Sequence, residues 1–160
     1  MPYLIDGSNL IGHIPHLTLE DPRSKYRLVA QLLIFQRIKR IKIILVFDGP
    51  PDLHLIGKEF LGKKFDIIYP SYEENADTII KTWIEKQTDL RKVYVISSDR
   101  EINTFARMKG AKVKRCDEFH KELKAVLKEY RAASAMKKAD TSLSPLEVNH
   151  WIKIFESKDE

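Results

Sequence analysis

The sequence lacks the features of several protein classes. It has one cysteine, Cys116, so no internal disulfide can form, and its Cys and His residues show no zinc-site spacing. No apolar run approaches the roughly 20 residues that a membrane helix needs, and the longest, at 43–47, is of strand length. The N-terminus has no basic flank and meets an acid at Asp6, so we expect no signal peptide. No G-x-x-x-x-G-K-[ST] motif of a P-loop protein occurs. These absences predict a cytoplasmic protein in a reducing compartment.

Positive charge is concentrated in one segment of the chain. The formal net charge is +5, and residues 23–47 contain no acid. The cations of this basic stripe are Arg23, Lys25, Arg27, Arg37, Lys39, Arg40 and Lys42. Such a stripe suits a polyanion, because each neutralised phosphate releases counterions. A solvated helix face has the same composition, and this second interpretation stays open.

The apolar pattern alternates between strand-like and helix-like segments. Strands are predicted at 3–5, 43–47, 65–69, 93–96 and 112–114, and helices at about 22–40, 74–86, 99–108 and 118–131. This order predicts an α/β domain, a three-layer sandwich with a mostly parallel sheet and helices on both faces. We expect the domain to span residues 1–131. A C-terminal extension at 132–160 should carry a short helix at about 145–156, where a capping box begins.

Three predicted strands each lead into an aspartate, namely Asp6, Asp48 and Asp99. Ligands of open parallel sheets bind beyond the carboxyl ends of the strands, so these side chains should converge there. Asp77 lies on the apolar side of the helix at 74–86, with Glu74 one turn earlier. Converging carboxylates repel each other unless a cation lies between them, and Mg²⁺ and Mn²⁺ prefer oxygen ligands. The pattern therefore predicts a divalent metal site.

Helix capping offers an alternative explanation for the same residues. Asp, Ser and Asn after a strand commonly cap the next helix, and Ser71 with Glu74 and Ser98 with Glu101 each fit a capping box. Capping explains any single aspartate about as well as metal binding does, but it explains the whole set less well. The five histidines show no ligand spacing, so metal activation of water is favoured over a histidine base.

Four short motifs lie on these elements in order. They are Asp6-Gly7-Ser8-Asn9, Val46-Phe47-Asp48-Gly49, Glu74-Asn75-Ala76-Asp77 and Ser97-Ser98-Asp99-Arg100-Glu101. Together they resemble the motifs of the YacP-like branch of the NYN domains, in the PIN-like nuclease superfamily, over about residues 1–131. The resemblance implies a PIN-like, Rossmann-like fold and an Mg²⁺- or Mn²⁺-dependent ribonuclease. Its catalytic and metal-binding acids would be Asp6, Asp48, Asp77 and Asp99.

The resemblance also implies supporting residues and partners. Glu74 and Glu101 would be additional acids at the metal, and Asn9 and Ser98 polar groups at the substrate. Ser8, a further hydrogen-bonding group beside Asp6, is also expected to bind the substrate. RNA is the expected partner, with the ribosome or ribosome-bound RNA as a further candidate, and no membrane partner is expected. Whether cleavage is internal or terminal stays open.

The position of the basic stripe adds two candidate substrate-binding residues. Its helix follows the Asp6 loop, so Arg23 and Arg27 in the first turns should lie beside the acidic crevice and hold RNA phosphates.

Two other functions remain open. A non-catalytic RNA-binding module would use the carboxylates only as helix caps and would bind RNA irrespective of metal. A phosphatase of another Rossmann-like class would use Asp6 as a covalent nucleophile. Such enzymes place a second aspartate two residues later, where this chain has Ser8.

Overall fold

A computed structural model describes residues 1–49, 62–71 and 73–136, which form a five-stranded, wholly parallel sheet flanked by helices. The strands are β1 (Pro2–Asp6), β2 (Lys42–Val46), β3 (Phe65–Ile68), β4 (Tyr94–Ile96) and β5 (Lys112–Lys114). The helices are α1 (Gly7–Ile11), α2 (Ser24–Lys39), α3 (Ala76–Glu85), α4 (Arg100–Met108) and α5 (Cys116–Met136). The strand order is β3-β2-β1-β4-β5, so the topological switch point lies between β1 and β4.

Alternating side chains of the central strands build one apolar core on each face of the sheet. Tyr3 and Ile5 of β1 pack into a core with residues of α1, α2 and α5. Leu4, on the opposite face, packs with residues of α3 and α4. The predicted three-layer α/β sandwich is therefore confirmed.

Helix α2 is almost surrounded by protein. Eleven of its 16 residues are buried, and it ends where Arg40 adopts a left-handed conformation with φ 55°. Its first turn lies at the carboxyl ends of the strands, because the Nζ of Lys25 sits over the rings of Phe47 and Tyr69, which follow β2 and β3. The start of α2 is therefore close to the predicted acidic crevice.

Within the described residues, the predicted strands and helices are all present with small shifts of their ends, and one helix was not predicted. Helix α1 begins within the Asp6-Gly7-Ser8-Asn9 motif, where no helix is expected from the sequence. Helix α5 starts at Cys116 and continues to Met136, beyond the expected domain end at 131. The helix expected at 145–156 lies outside the described residues. Within the described part, no helix is long and apolar enough to span a membrane.

Candidate active site at the carboxyl ends of the strands

Asp6 is the last residue of β1, next to the switch point, and only 5% of it is exposed. The pKa of its carboxyl is raised to about 6, mainly by burial and in smaller part by the negative charges of Asp77 and Asp48. Hydrogen bonds from the backbone N–H of Asn9 and the hydroxyl of Ser97, both at 3.4 Å, act in the opposite direction. Asp6 is therefore a buried acid under repulsion from its neighbours.

Asp77 lies in the first turn of α3 and is half-buried. Burial is the main cause of its raised pKa, and the negative charges of Asp99 and Asp48 add to it. The ammonium of Lys81, one turn further along α3, partly offsets this repulsion. The four aspartates predicted from the sequence thus form one electrostatically coupled group.

Besides Asp6, which caps α1 by accepting the N–H of Asn9, two of these aspartates cap the helices α3 and α4. Asp48 Oδ1 accepts the backbone N–H of Ala76 at 2.9 Å, at the start of α3. Asp99 Oδ1 accepts the N–H groups of Glu101 and Ile102 at 2.8 and 3.2 Å, at the start of α4. In both cases a single oxygen acts as the cap, and within the described residues Oδ2 accepts no hydrogen bond. Capping and metal binding are thus compatible at these positions.

The predicted capping boxes are wrong in detail. Asn75 caps α3 by accepting the N–H of Thr78 at 2.9 Å, and Asp99 rather than Ser98 caps α4. Ser71 instead accepts the N–H of Glu74 through its backbone carbonyl, at 3.0 Å. Asn75 and Asp99 act as the caps, rather than the serines, because each lies two or three residues before the N–H groups that it accepts at the start of its helix.

The carboxylates are electrostatically coupled but do not form a complete set of metal ligands. Across residues 1–49, 62–71 and 73–136, no three carboxylate, histidine or cysteine side chains lie close enough to ligate one ion. The caps give a physical reason, because Asp48 and Asp99 are each turned toward a helix terminus. The donors are nevertheless all hard oxygen ligands under mutual repulsion, which fits a divalent cation chemically.

The three polar residues predicted at the substrate, Ser8, Asn9 and Ser98, make hydrogen bonds that hold the loops together. Ser8 Oγ accepts the backbone N–H of Asp48 at 3.0 Å. Asn9 Oδ1 accepts the N–H of Ser98 at 2.9 Å and the thiol of Cys116 at 3.0 Å. Ser98 Oγ accepts the N–H of Cys116 at 3.0 Å. These bonds join the segments that follow β1, β2, β4 and β5 into one unit.

Gly7 allows this unit to close. A Cβ at this position would lie 2.7 Å from Cε1 of the buried Phe47 ring, which is too close for any other residue without rearrangement. Helix α1 can therefore start directly after Asp6, against the end of β2.

Ser97 is a site residue that the sequence reasoning missed. It is fully buried, and its hydroxyl donates to Asp6 Oδ2 at 3.4 Å. Ser97 Oγ also accepts the backbone N–H of Asp99 at 3.1 Å. Asn103 fixes the Ser97 carbonyl through a hydrogen bond of 2.9 Å. The available signal was its position, since it directly follows β4 next to the switch point.

The two predicted glutamates are both exposed, and neither is shown at a metal-like position. Glu74 lies in the turn before α3. Glu101 accepts a hydrogen bond from Lys81 Nζ at 2.6 Å, which links α4 to α3. Lys81 itself was not predicted as part of the site.

The two predicted RNA-binding arginines differ in exposure. Arg23 is exposed just before α2. Arg27 is only 3% exposed, and its guanidinium lies 4.0 Å from Asp21. Arg27 is therefore part of the helix packing and does not reach a surface where RNA could bind, contrary to the expectation from sequence. Lys25, between the two, is half-buried at the carboxyl ends of β2 and β3.

A parallel sheet with a group of coupled carboxylates beside its switch point defines a Rossmann-like α/β domain with a carboxylate site. The model of the YacP-like NYN domain matches residues 3–156, and the chain belongs to this family. The family is one of the PIN-like nucleases, which suggests a ribonuclease.

Solved structures show the same fold. Two crystal structures of Rae1 (YacP) from Bacillus subtilis, one of them of a mutant, are each 21% identical to this chain. The mutant gives a TM-score of 0.68 and covers 99% of this chain and 97% of its own. The other gives 0.65, with coverage of 99% and 96%. Comparison with curated proteins finds no match.

Proposed function

We propose that this protein is a metal-dependent ribonuclease that hydrolyses phosphodiester bonds of RNA in the crevice beyond β1, β2 and β4. The electrostatic coupling of its four aspartates carries the proposal. Asp77 and Asp48 raise the pKa of Asp6, and Asp99 and Asp48 raise that of Asp77. Such repulsion is costly in a folded protein, and a bound cation would relieve it.

Asp6, Asp48, Asp77 and Asp99 would hold Mg²⁺ or Mn²⁺. When bound, the ion would supply Lewis-acid polarisation of the phosphate and lower the pKa of a water. The chain itself contributes orientation. Ser97 and the Asn9 N–H fix the two oxygens of Asp6, while helices α3 and α4 fix one oxygen of Asp48 and of Asp99.

A non-catalytic RNA-binding module is the second candidate. The helix caps made by Asp48 and Asp99 favour it, as does the lack of a three-ligand cluster among the described residues. The phosphatase alternative has less support. Its second acid is replaced by Ser8, whose hydroxyl oxygen is engaged by the Asp48 N–H.

Substitution by asparagine and by alanine separates the two leading candidates. Asn keeps the Oδ1 acceptor and removes the charge, so Asp48→Asn and Asp99→Asn should remain folded. In the full-length protein with end-labelled RNA and Mn²⁺, we expect both variants to lose cleavage. Asp48→Ala and Asp99→Ala should in addition lose about 0.5–2 kcal/mol of stability with the cap.

Three results bear on the proposal. Loss of cleavage in folded asparagine variants supports it. Cleavage retained by both asparagine variants contradicts the aspartate centre. RNA binding without any cleavage, unchanged by Mn²⁺ or by its chelation, would favour the binding module. Asp66→Asn, at an exposed position on β3, is the matched control.

A further inference from the structure

The first turn of α2 places an ammonium group over two aromatic rings beside the crevice. Lys25 Nζ lies 5.3 Å from the ring centroid of Phe47 and 5.8 Å from that of Tyr69. Phe47 directly precedes Asp48, and Tyr69 directly follows β3. Since the strand order is β3-β2-β1-β4-β5, Lys25 stands on the β3 side of the crevice.

The aromatic pair holds this lysine without neutralising it. The Phe47 ring is buried, and Tyr69 stacks on it with centroids 5.9 Å apart and an interplanar angle of 28°. A cation over such rings is attracted by their quadrupoles and keeps its full charge. A side chain that is already restricted also loses less conformational entropy when it binds a ligand.

Lys25 differs from nearby cations in its partners. Arg27 lies 4.0 Å from Asp21, and Lys81 lies 2.6 Å from Glu101. For Lys25, the described part of the chain offers no carboxylate within 4.0 Å. Its charge is therefore available to an anionic ligand, at the same edge of the sheet as the acids that would otherwise repel a polyanion.

We propose that Lys25, aligned by Phe47 and Tyr69, binds a backbone phosphate of single-stranded RNA that enters the crevice from the β3 side. The inference rests on the proposed function and adds to it the side from which the RNA strand enters the site. The strand would pass over the start of α2 before it reaches Asp48 and Asp6. A lysine contacts phosphate as a point charge and reads no base, so binding here would not depend on sequence.

Two separate charge-neutralising substitutions on α2, one at each end of the helix, test this subsite. Binding of a fluorescent single-stranded RNA to the full chain is measured by anisotropy at several salt concentrations, with EDTA present so that no cleavage occurs. Lys25→Gln should weaken binding and reduce the salt slope by about 0.7 log units per log unit of salt, the value for one lost phosphate contact. Lys39→Gln, at the exposed far end of α2, is the matched control and should leave both nearly unchanged.

Two more variants test the aromatic alignment. Lys25→Arg keeps the charge and should restore most of the affinity. Tyr69→Leu should weaken binding in the wild-type background but add little to Lys25→Gln, because it acts through the lysine. Melting temperatures show whether Tyr69→Leu remains folded, and Tyr69→Phe, which keeps the ring, should bind RNA like the wild type.

A salt slope that Lys25→Gln leaves unchanged, or equal losses from Lys25→Gln and Lys39→Gln, would overturn the subsite. The result is independent of catalysis. If the protein cleaves RNA but Lys25→Gln does not change RNA binding, only this inference is refuted. If Lys25→Gln weakens RNA binding but the wild-type protein never cleaves RNA, only the proposed nuclease activity is refuted.

Discussion

Asn9 and Ser98 are 89 positions apart in the chain, and the side-chain oxygen of Asn9 accepts the backbone N–H of Ser98 at 2.9 Å. This bond joins the segment after β1 to the segment after β4, across the switch point of the sheet. Asp6 and Asp99 flank it, three residues before Asn9 and one after Ser98. Asn9 is therefore placed to control how these two carboxylates approach each other.

Asn9→Ala should destabilise the protein by about 1–3 kcal/mol, because the partly buried N–H of Ser98 loses its acceptor. Cleavage should fall as well, since Asp6 and Asp99 are no longer held together. Urea unfolding and RNA cleavage with Mn²⁺ measure the two effects. His13→Ala is the control, because its ring bonds the Asn9 carbonyl on the surface, and its effect should stay within about 0.5 kcal/mol. A stable, fully active Asn9→Ala variant would contradict the bracing role.

The sequence predicted the layers of the fold because each element carries a clear local signal. The run at 43–47 is apolar at every position, as a strand buried on both faces requires, and it closely matches β2. Helix α1 has no such signal, since its five residues are too few to show helical periodicity. Its start depends on the packing of Gly7 against Phe47, which is a contact between distant residues.

The proximity of the four aspartates could be predicted from the sequence, but the packing around them could not. Asp6, Asp48 and Asp99 were found because they follow strands that the sequence reveals. The burial of Arg27 and the link between Lys81 and Glu101 depend on how helices pack on the sheet, which local patterns do not encode. From the sequence alone, a charged residue in a cationic run is predicted to be exposed, because the residues that pack against it in the fold are not known.

Asp6 should make the metal-free protein less stable as the pH rises. Its pKa is 3.8 in its usual state and about 6 in the fold, so the folded state binds the extra proton. The contribution of Asp6 to the stability of the fold is then greatest below pH 3.8 and is lost as the pH rises through about 6. For a shift of this size the loss is on the order of 3 kcal/mol.

Asp6→Asn should remove that loss and raise the stability of the metal-free protein at neutral pH. Urea unfolding in EDTA at pH values on both sides of the window compares the variant with the wild type. Asp66→Asn, at an exposed site, should follow the wild-type curve. An Asp6→Asn variant that is less stable than the wild type at pH 7 would show that the carboxylate is a structural requirement.

Binding of Mg²⁺ or Mn²⁺ to the folded state should raise the melting temperature in a concentration-dependent way. Ligand at about 100 times its dissociation constant adds about 2.7 kcal/mol of stability. Asp99→Asn should reduce this shift, because a charged ligand is lost while the cap on α4 is retained. Calorimetry at increasing ion concentration measures it, with Asp66→Asn as control. A melting temperature that neither ion changes would count against the metal site.

The ion pair of Lys81 and Glu101 distinguishes two roles for this glutamate. Lys81 lies close enough to Asp77 and Asp99 for their charges to raise its pKa, after the larger effect of Glu101. If Glu101 acts by neutralising Lys81, then Glu101→Gln exposes the acids to an uncompensated cation. The Mn²⁺ concentration for half-maximal cleavage should then rise several-fold.

Lys81→Met should have the opposite effect and lower that concentration, because it removes a positive charge beside the acids. The decisive measurement is the double variant. With Lys81→Met already present, Glu101→Gln should change the Mn²⁺ requirement very little, since no cation is left to neutralise. If Glu101 instead binds the metal directly, as the family resemblance implies, its loss should raise the Mn²⁺ requirement equally in both backgrounds. Melting temperatures of the single variants should stay near the wild-type value, because an exposed ion pair contributes little to stability.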